Sequence, residues 1–496
     1  MDPIRTGAAV GAALTAVLFL AAAAVPLFLP DAGVRPGAAL GEYTAYLEER
    51  IPALMRRYSV PGASLALVEG GKIVWTRAYG YADTQTGRKL TEGTALRAQS
   101  ISKSVTAWGV MKLAQQGRID LDAPVAGYLK TWSFPEGEYP ADQITIRQLL
   151  SHTAGLPLGD VLAIYSPKDD IPSLRESLTR TAIPFQAPGA GFSYSNVGYN
   201  LLELLIEDVS GRDFAGYMAD EVLKPLGMHD STFEWSESID PPLPNGYSLG
   251  GEAVPVYVYP EKASGGLVAT AADIAAFMIA GMPDFSGRGV LSPSGVESLY
   301  APQAVRLGVY GLAFDAYGSG YYTERLAGTG LAVSHGGQGT GWMSHFHAVP
   351  KTGDGIVILT NSQRSWPFIA SLLNGWTHWR GFSPPGMARI LYAECALWAA
   401  AGLILSSVLF LAAGIIAGLV NGGRAFAPPR FGRAGLVHVF ELGACIALAA
   451  GFAWCASQKY LFLTSVFPTV SPWLGACAVA AAAALSMAAF FPKGAQ

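Results

Sequence analysis

Ser100 and Lys103 lie three residues apart in the run Ser100-Ile101-Ser102-Lys103, which opens a helix-like stretch reaching Gln116. On a helix that spacing puts the hydroxyl and the amine on one face, about a turn apart. A serine hydroxyl is a poor nucleophile until a neighbour takes its proton, and a lysine can take it once its surroundings have made the amine neutral. A helix N-terminus adds free N–H groups that favour the oxyanion formed on attack. Alone the pair is weak evidence, since about one Ser-x-x-Lys is expected by chance in a chain this long. It has company. Tyr194-Ser195-Asn196 follows the turn-rich Pro188-Gly189-Ala190-Gly191-Phe192-Ser193 and would project a phenol and an amide from a loop, and a strand-like run ends in His335-Gly336-Gly337.

Taken in this order, the three groups resemble the motif set of serine β-lactamases and penicillin-binding proteins, with Tyr-Ser-Asn as the second motif and His-Gly-Gly in place of Lys-Thr-Gly. The chain resembles the class C β-lactamase and D,D-peptidase-like family (peptidase S12 type) over nearly all of its water-soluble part. Gly117-Arg118-Ile119-Asp120-Leu121-Asp122, Leu149-Leu150-Ser151-His152-Thr153-Ala154-Gly155-Leu156, Pro225-Leu226-Gly227-Met228 and Ala263-Ser264-Gly265-Gly266-Leu267 carry the resemblance further.

The resemblance implies an α/β (α+β) fold, an antiparallel sheet flanked by helices with a helical subdomain. It implies Ser100 as the acylated nucleophile and Lys103 as its proton partner. Tyr194, hydrogen-bonded to Lys103, would shuttle protons and help activate the hydrolytic water, and the Asn196 amide would hold the substrate amide. The oxyanion hole would be the backbone N–H groups of Ser100 and Gln338. Gly336 and Gly337 would let substrate lie against the strand. No cofactor and no metal are implied. His335 departs from the pattern, because relatives commonly carry lysine there, a permanent cation that meets a substrate carboxylate. Histidine is only partly charged near neutrality, which moves the expectation from β-lactams toward amides, peptides or esters.

Other histidines have plainer readings. His152 follows no Gly-x-Ser-x-Gly elbow and is expected to be a buried hydrogen-bonder rather than part of a Ser-His-Asp triad. His345 and His347 alternate on a strand and share a face, without an acidic or cysteine neighbour in the sequence to complete a metal site.

The elements that must position these groups follow from periodicity. Leu47, Ile51, Leu54 and Met55 predict a helix over 43–58. Strands are predicted at 63–68 and 72–79, turned by Glu69-Gly70-Gly71, and again at 331–335, 342–349 and 355–360, with a last helix over 365–379. Strands at both ends around a helical middle predict a sheet assembled from the two chain ends.

The 496 residues are 51% hydrophobic and only 14% charged, against about 25% in ordinary soluble domains, so part of the chain belongs in lipid. A net charge of -4 offers no field for nucleic acid. Residues 1–30 read as a signal peptide or N-terminal membrane anchor, 31–40 as a linker, 41–385 as the hydrolase domain and 386–496 as a membrane domain. Its three apolar stretches are 395–420, 434–457 and 473–491, each near the roughly 20 residues needed to cross a bilayer. All four cysteines fall here, at Cys395, Cys445, Cys455 and Cys477, as small apolar residues. Arg424, Arg430 and Arg433 in the first connector place that connector in the cytoplasm and the 41–385 domain outside, making a multi-pass protein of the inner membrane. His438 and Glu441 share a helix face and read as interhelical packing.

The three-helix tail also resembles membrane-anchored peptidases that remove N-acyl-D-amino-acid caps from peptide prodrugs. His335-Gly336-Gly337-Gln338 fits that group, but Gly339 stands where it tends to carry a side chain that reads the D-residue. The expected function is an exported, membrane-anchored serine hydrolase that works through an acyl-enzyme as a peptidase or amidase on D-residue-containing or N-acylated peptides, of the prodrug-activating type. A β-lactamase or esterase of the same fold and a non-turnover penicillin sensor are the alternatives.

Overall fold

The computed structural model describes residues 34–160, 163–285, 289–327, 330–427, 436–457 and 463–492, with 11, 13–16 and 18 near the start. The expected N-terminal export segment therefore lies largely outside the described residues, as do Arg430, Arg433 and the side chains of His438 and Glu441. The chain divides into two compact units, Val34–Ala388 and one that takes in the apolar helices beginning at Arg389.

In the first unit, among the described residues, eight strands form one antiparallel sheet. They are β1 (Gly62–Glu69), β2 (Lys72–Asp83), β3 (Arg88–Lys89), β4 (Ala316–Tyr317), β5 (Tyr322–Leu326), β6 (Gly330–Gly339), β7 (Trp342–Val349) and β8 (Asp354–Thr360), in the spatial order β3-β2-β1-β8-β7-β6-β5-β4. The two ends of the chain meet where β1 pairs with β8, from Ala63 opposite Thr360 to Val68 opposite Gly355. The β1–β2 turn needs both of its glycines, because Gly70 and Gly71 have φ of 55° and 71°, the left-handed pair that a two-residue hairpin demands. One sequence boundary moves. β6 does not end at His335-Gly336-Gly337 but runs on to Gly339, carried by β7, which pairs Gly337 with Ser344 and Gly339 with Trp342. Beyond Ser334 opposite Tyr322, β5 no longer pairs with β6, so the stretch from His335 onward loses its β5 neighbour where the site begins.

Helices cover the sheet. On one face α1 (Leu40–Tyr58) buries Leu47, Ile51, Leu54 and Met55, and its Tyr43 stacks on Trp379 of the late helix Trp366–Arg380 at 4.2 Å between ring centroids. On the other face lies α2 (Ile101–Gln115), with Ser100 as its N-cap and every residue from Ile101 to Met111 buried. A helix apolar on all sides is the signature of a core position. The helical middle packs on α2 through α3 (Asn196–Ser210). Arg147 holds Asp122 through two bonds of 2.6 and 2.8 Å, tying the Gly117–Asp122 motif to the Leu149–Leu156 motif.

Among the described residues two helices are long and apolar enough to cross a membrane, Gly386–Val420, whose first three residues close the first unit, and Ser471–Phe490 in the second. The helical parts are α4 (Arg389–Val420), α5 (Leu436–Ser457) and α6 (Ser471–Phe490).

Candidate active site

The turn Ala98-Gln99-Ser100 delivers Ser100, the candidate nucleophile. Gln99 has a φ of 50°, an uncommon backbone for a residue with a side chain, and its amide is pinned at both ends. Its nitrogen donates to Tyr257 Oη at 3.1 Å, and its oxygen accepts from Tyr259 Oη at 3.1 Å. β6 closes against this turn. A Cβ on Gly337 would come 2.5 Å from the Ala98 carbonyl oxygen, and one on Gly339 would come 2.5 Å from the Gln99 amide. The room expected for substrate at Gly337 is thus filled by the protein itself, and the glycine allows strand and nucleophile turn to touch. At Gly336 the missing side chain would meet Trp366 on the far face of the sheet, where Trp366 Nε1 also donates to Gln338 Oε1 at 2.9 Å. Gln338 accordingly faces its backbone, not its side chain, toward the site.

Lys103 is fully buried, and burial holds its amine well below the ordinary lysine range. Among the described residues Nζ bonds to Ser264 O at 2.6 Å, Asn196 Oδ1 at 2.7 Å and Ser100 Oγ at 3.2 Å. The first two are carbonyl oxygens and can only accept. A neutral amine therefore spends both N–H groups on them and leaves its lone pair facing the Ser100 hydroxyl, which then donates. That is the arrangement a general base requires. The Tyr194 ring centroid is 5.0 Å from the same nitrogen, and Tyr194 is 8% exposed while Ser100 is 7% exposed.

Asn196 owes its position to a helix cap: Ser195 accepts from Gly198 N at 3.0 Å, and Asn196 begins α3 with its own N–H on Leu158 O. Two turns on, buried Glu203 accepts from the N–H groups of Lys262 and Ala263 at 2.7 and 2.8 Å. It thereby holds the loop whose next carbonyl, Ser264, binds Lys103. Burial pushes the Glu203 carboxyl up to about 8 against the pull of those two N–H groups. One helix thus positions Lys103 from two sides.

His335 is placed differently from its sequence reading. Its ring is fully buried, and Nδ1 lies 2.7 Å from Gly336 O, so Nδ1 carries the proton and Nε2 accepts from Tyr317 Oη at 3.2 Å. Burial above all lowers its pKa to about 3. It is a neutral wall behind Tyr194 rather than a partial cation aimed at substrate, because both ring nitrogens are already engaged. His152, in the left-handed region at φ 58°, accepts from Ser195 N at 3.1 Å and packs 4.3 Å from the Tyr194 ring, a buried hydrogen-bonder. His345 and His347 do share a face, and β5 brings them a carboxylate the sequence did not suggest, with Glu324 Oε1 3.6 Å from His347 Nε2.

The structure therefore gathers Ser100, Lys103, Tyr194, Asn196, His335 and the β6 backbone at Gln338. Gln99, Glu203, Tyr257, Tyr259 and the role of Ser264 were not foreseen. The Ala263–Leu267 motif was the only sequence signal pointing at any of them.

Comparison with known proteins gives the same picture. Residues 47–371 match the family model described as Beta-lactamase. "Protein flp" of Staphylococcus aureus (strain MW2) is 30% identical over 210 residues, 42% of this chain and 41% of its own, so the chain spans less than half of that relative. "Penicillin-binding protein 4" of Amycolatopsis lactamdurans is 28% identical over 338 residues, covering 66% of this chain and 88% of its own. The crystal structure of SurE with D-Leu has a TM-score of 0.55 at 27% identity, over 67% of this chain and 74% of that one.

Proposed function

Because the chain belongs to the beta-lactamase family, we propose that it is a membrane-tethered serine hydrolase that works through an acyl-enzyme on peptides or amides bearing a D-residue or an N-acyl group. The observation that carries this reading is the buried Lys103 amine, with two carbonyl oxygens taking its N–H groups and the Ser100 hydroxyl opposite its lone pair.

Attack of Ser100 Oγ on the substrate carbonyl carbon forms the ester bond while the hydroxyl proton passes to Lys103 Nζ. The Ser100 and Gln338 N–H groups receive the oxyanion. The carbon–nitrogen bond then breaks, and the departing amine takes a proton relayed from Lys103 through Tyr194. Water then adds to the ester carbon, its proton passing through Tyr194 to Lys103, and the ester carbon–oxygen bond breaks as that proton returns to Ser100 Oγ, releasing the acid and restoring Ser100. The Asn196 amide nitrogen, its oxygen held by Lys103, is left to meet the substrate amide.

A neutral, buried His335 offers no charge to a substrate carboxylate, which favours amides and esters over β-lactams. The similarity to SurE, whose structure contains D-Leu, supports a D-residue in the substrate. The apolar helices Gly386–Val420 and Ser471–Phe490 support a tether, with α5 as a third span and the catalytic unit on the outer face of the inner membrane.

The test is intact-mass analysis of the full chain after a fluorophosphonate, a penicillin and a panel of N-acyl-D-aminoacyl amides. A covalent adduct at Ser100 that turns over with the amides is expected. Turnover of nitrocefin or p-nitrophenyl butyrate alone would move the assignment to a β-lactamase or esterase, and a stable penicillin adduct without turnover to a sensor. No adduct at Ser100 with any probe ends the hydrolase reading.

A further inference from the structure

Residues 301–314 form a segment with two unlike faces. Its inner side chains Leu307, Tyr310 and Phe314 pack with Tyr194, Tyr317 and Tyr322. Tyr310 stacks on Tyr194 at 5.4 Å between ring centroids and 26° between planes, so this segment is the outer support of the phenol in the site. Its outer side carries Val305, Val309 and Leu312, exposed to 70%, 62% and 66%, with exposed Arg306 among them. Single exposed apolar residues need no explanation, but three within eight residues on one small turn do.

The chain itself indicates what covers them. Ala313 lies directly against Gly386, where any Cβ would run into the Ala313 carbonyl, and Gly386 N donates to Glu324 Oε2 at 2.8 Å. Gly386 opens the apolar helical stretch that reaches Val420. From Gly386 to Cys395, where the run without charged residues starts, the helical rise is about 14 Å. Chain continuity therefore ties Ala313, the residue that follows the strip, to an apolar run that starts nine residues beyond Gly386. The polar layer of a bilayer occupies several ångströms of that interval.

We infer that residues 305–312 are a lipid-contact loop. Val305, Val309 and Leu312 seat in the interfacial layer of the bilayer that the helix from Arg389 enters, with Arg306 toward anionic headgroups. Through Tyr310 the contact steadies Tyr194. The inference rests on the proposed tether and adds to it a second point of membrane contact, made by the catalytic unit.

The test uses the full chain in vesicles of phosphatidylcholine and phosphatidylglycerol, with and without bromine on the acyl chains, placed near the carbonyls to read position 309 and in mid-chain to read position 403, about 12 Å beyond Cys395 along the helix. Two variants are compared with wild type, Val309→Trp and, as a control inside the apolar helix, Leu403→Trp. A melting transition matching wild type shows that each is folded. Brominated lipid is expected to cut the added Val309→Trp emission about twofold, as for a side chain seated in the interface. Quenching at 403 without quenching at 309 overturns the loop while the tether stands, and quenching at neither position removes both. A blue shift of the 309 emission that grows with protein concentration in lipid-free detergent assigns the strip to a second copy of the chain and also overturns it.

Discussion

Two helices in this chain are surrounded in opposite ways. α2 buries twelve of its fifteen residues, including the ionisable Lys103, inside the catalytic unit. α4 is more than twice as long, yet among its described residues only Glu394, Cys395, Ala401, Gly402, Ile415 and Ala417 are buried, while Leu403, Phe410 and Val420 stand 62%, 60% and 73% exposed. Apolar composition alone therefore says only that a helix avoids water. Whether protein or lipid replaces the water is decided by what packs on it. The two surroundings also treat charge differently: α2 admits a lysine because Asn196 and Ser264 take its N–H groups, whereas Cys395 to Val420 admits no charged residue at all.

The comparison breaks hardest at the nucleophile. Ser100→Ala is expected to lower kcat by about ten-thousandfold or more and to abolish labelling by fluorophosphonate. Lys103→Met should match that loss of rate yet gain stability near neutrality, because a buried amine is costly in its charged form. The sign follows from the lowered pKa. Between its folded value and about 10.5 the unfolded chain holds a proton that the folded chain releases, so wild type gains stability as pH rises toward 10.5. Melting curves of the variant should lack that slope, and an unchanged slope would contradict a neutral, buried Lys103.

A lysine placed in the other helix has no such partners. Leu403→Lys is expected to cost about 3 kcal/mol against insertion, read as protein lost from the carbonate-resistant membrane fraction. Undiminished retention would argue that α4 is covered by protein.

Next in size is the loop that holds Lys103 from the side of Ser264. Glu203→Leu leaves two buried N–H groups unanswered and should cost about 2 to 3 kcal/mol in denaturant melts, with a fall in kcat. Glu203→Gln keeps an acceptor oxygen in a site whose carboxyl is already protonated near neutrality, and should stay within about 0.5 kcal/mol of wild type. Equal damage from both variants would show that charge, not the hydrogen bonds, matters there.

The smallest effect is at His335. With a folded pKa of about 3 against an ordinary 6.5, its contribution is intact above 6.5 and is lost as pH falls, about 2 kcal/mol by pH 5. His335→Gln should flatten that part of the acid denaturation profile. A wild-type profile level from pH 7 to 5 would mean that the ring is not sealed.

What the sequence disclosed and what it withheld divide along the range of the interactions. The β1–β2 hairpin was legible because a two-residue alternation meets Gly70-Gly71, and the helix after Ser100 was legible from its own run of residues. The three groups proposed for catalysis stood out because their motifs are local: Ser100 to Lys103 is one turn, and Tyr194 to Asn196 is one cap. Glu203 could not be read, because its partners lie sixty residues away and look like any other loop N–H. The true state of His335 was equally out of reach, since it depends on Tyr317 and Tyr322 arriving from β4 and β5 to close over the ring. Gly339 was visible only as a missing side chain, and the structure shows its place taken by Gln99 from the facing turn.

The seam between β1 and β8 has a consequence in time. Residues 62–69 leave the ribosome nearly three hundred residues before the strand they must join. At about 5 to 20 residues per second that is a wait of roughly 15 to 60 seconds. Throughout it one side of an apolar strand has nothing to pair with, so the nascent chain needs an escort until Thr360 has been made. The apolar helix from Arg389 emerges only moments later, so little time separates completion of the sheet from the arrival of that helix.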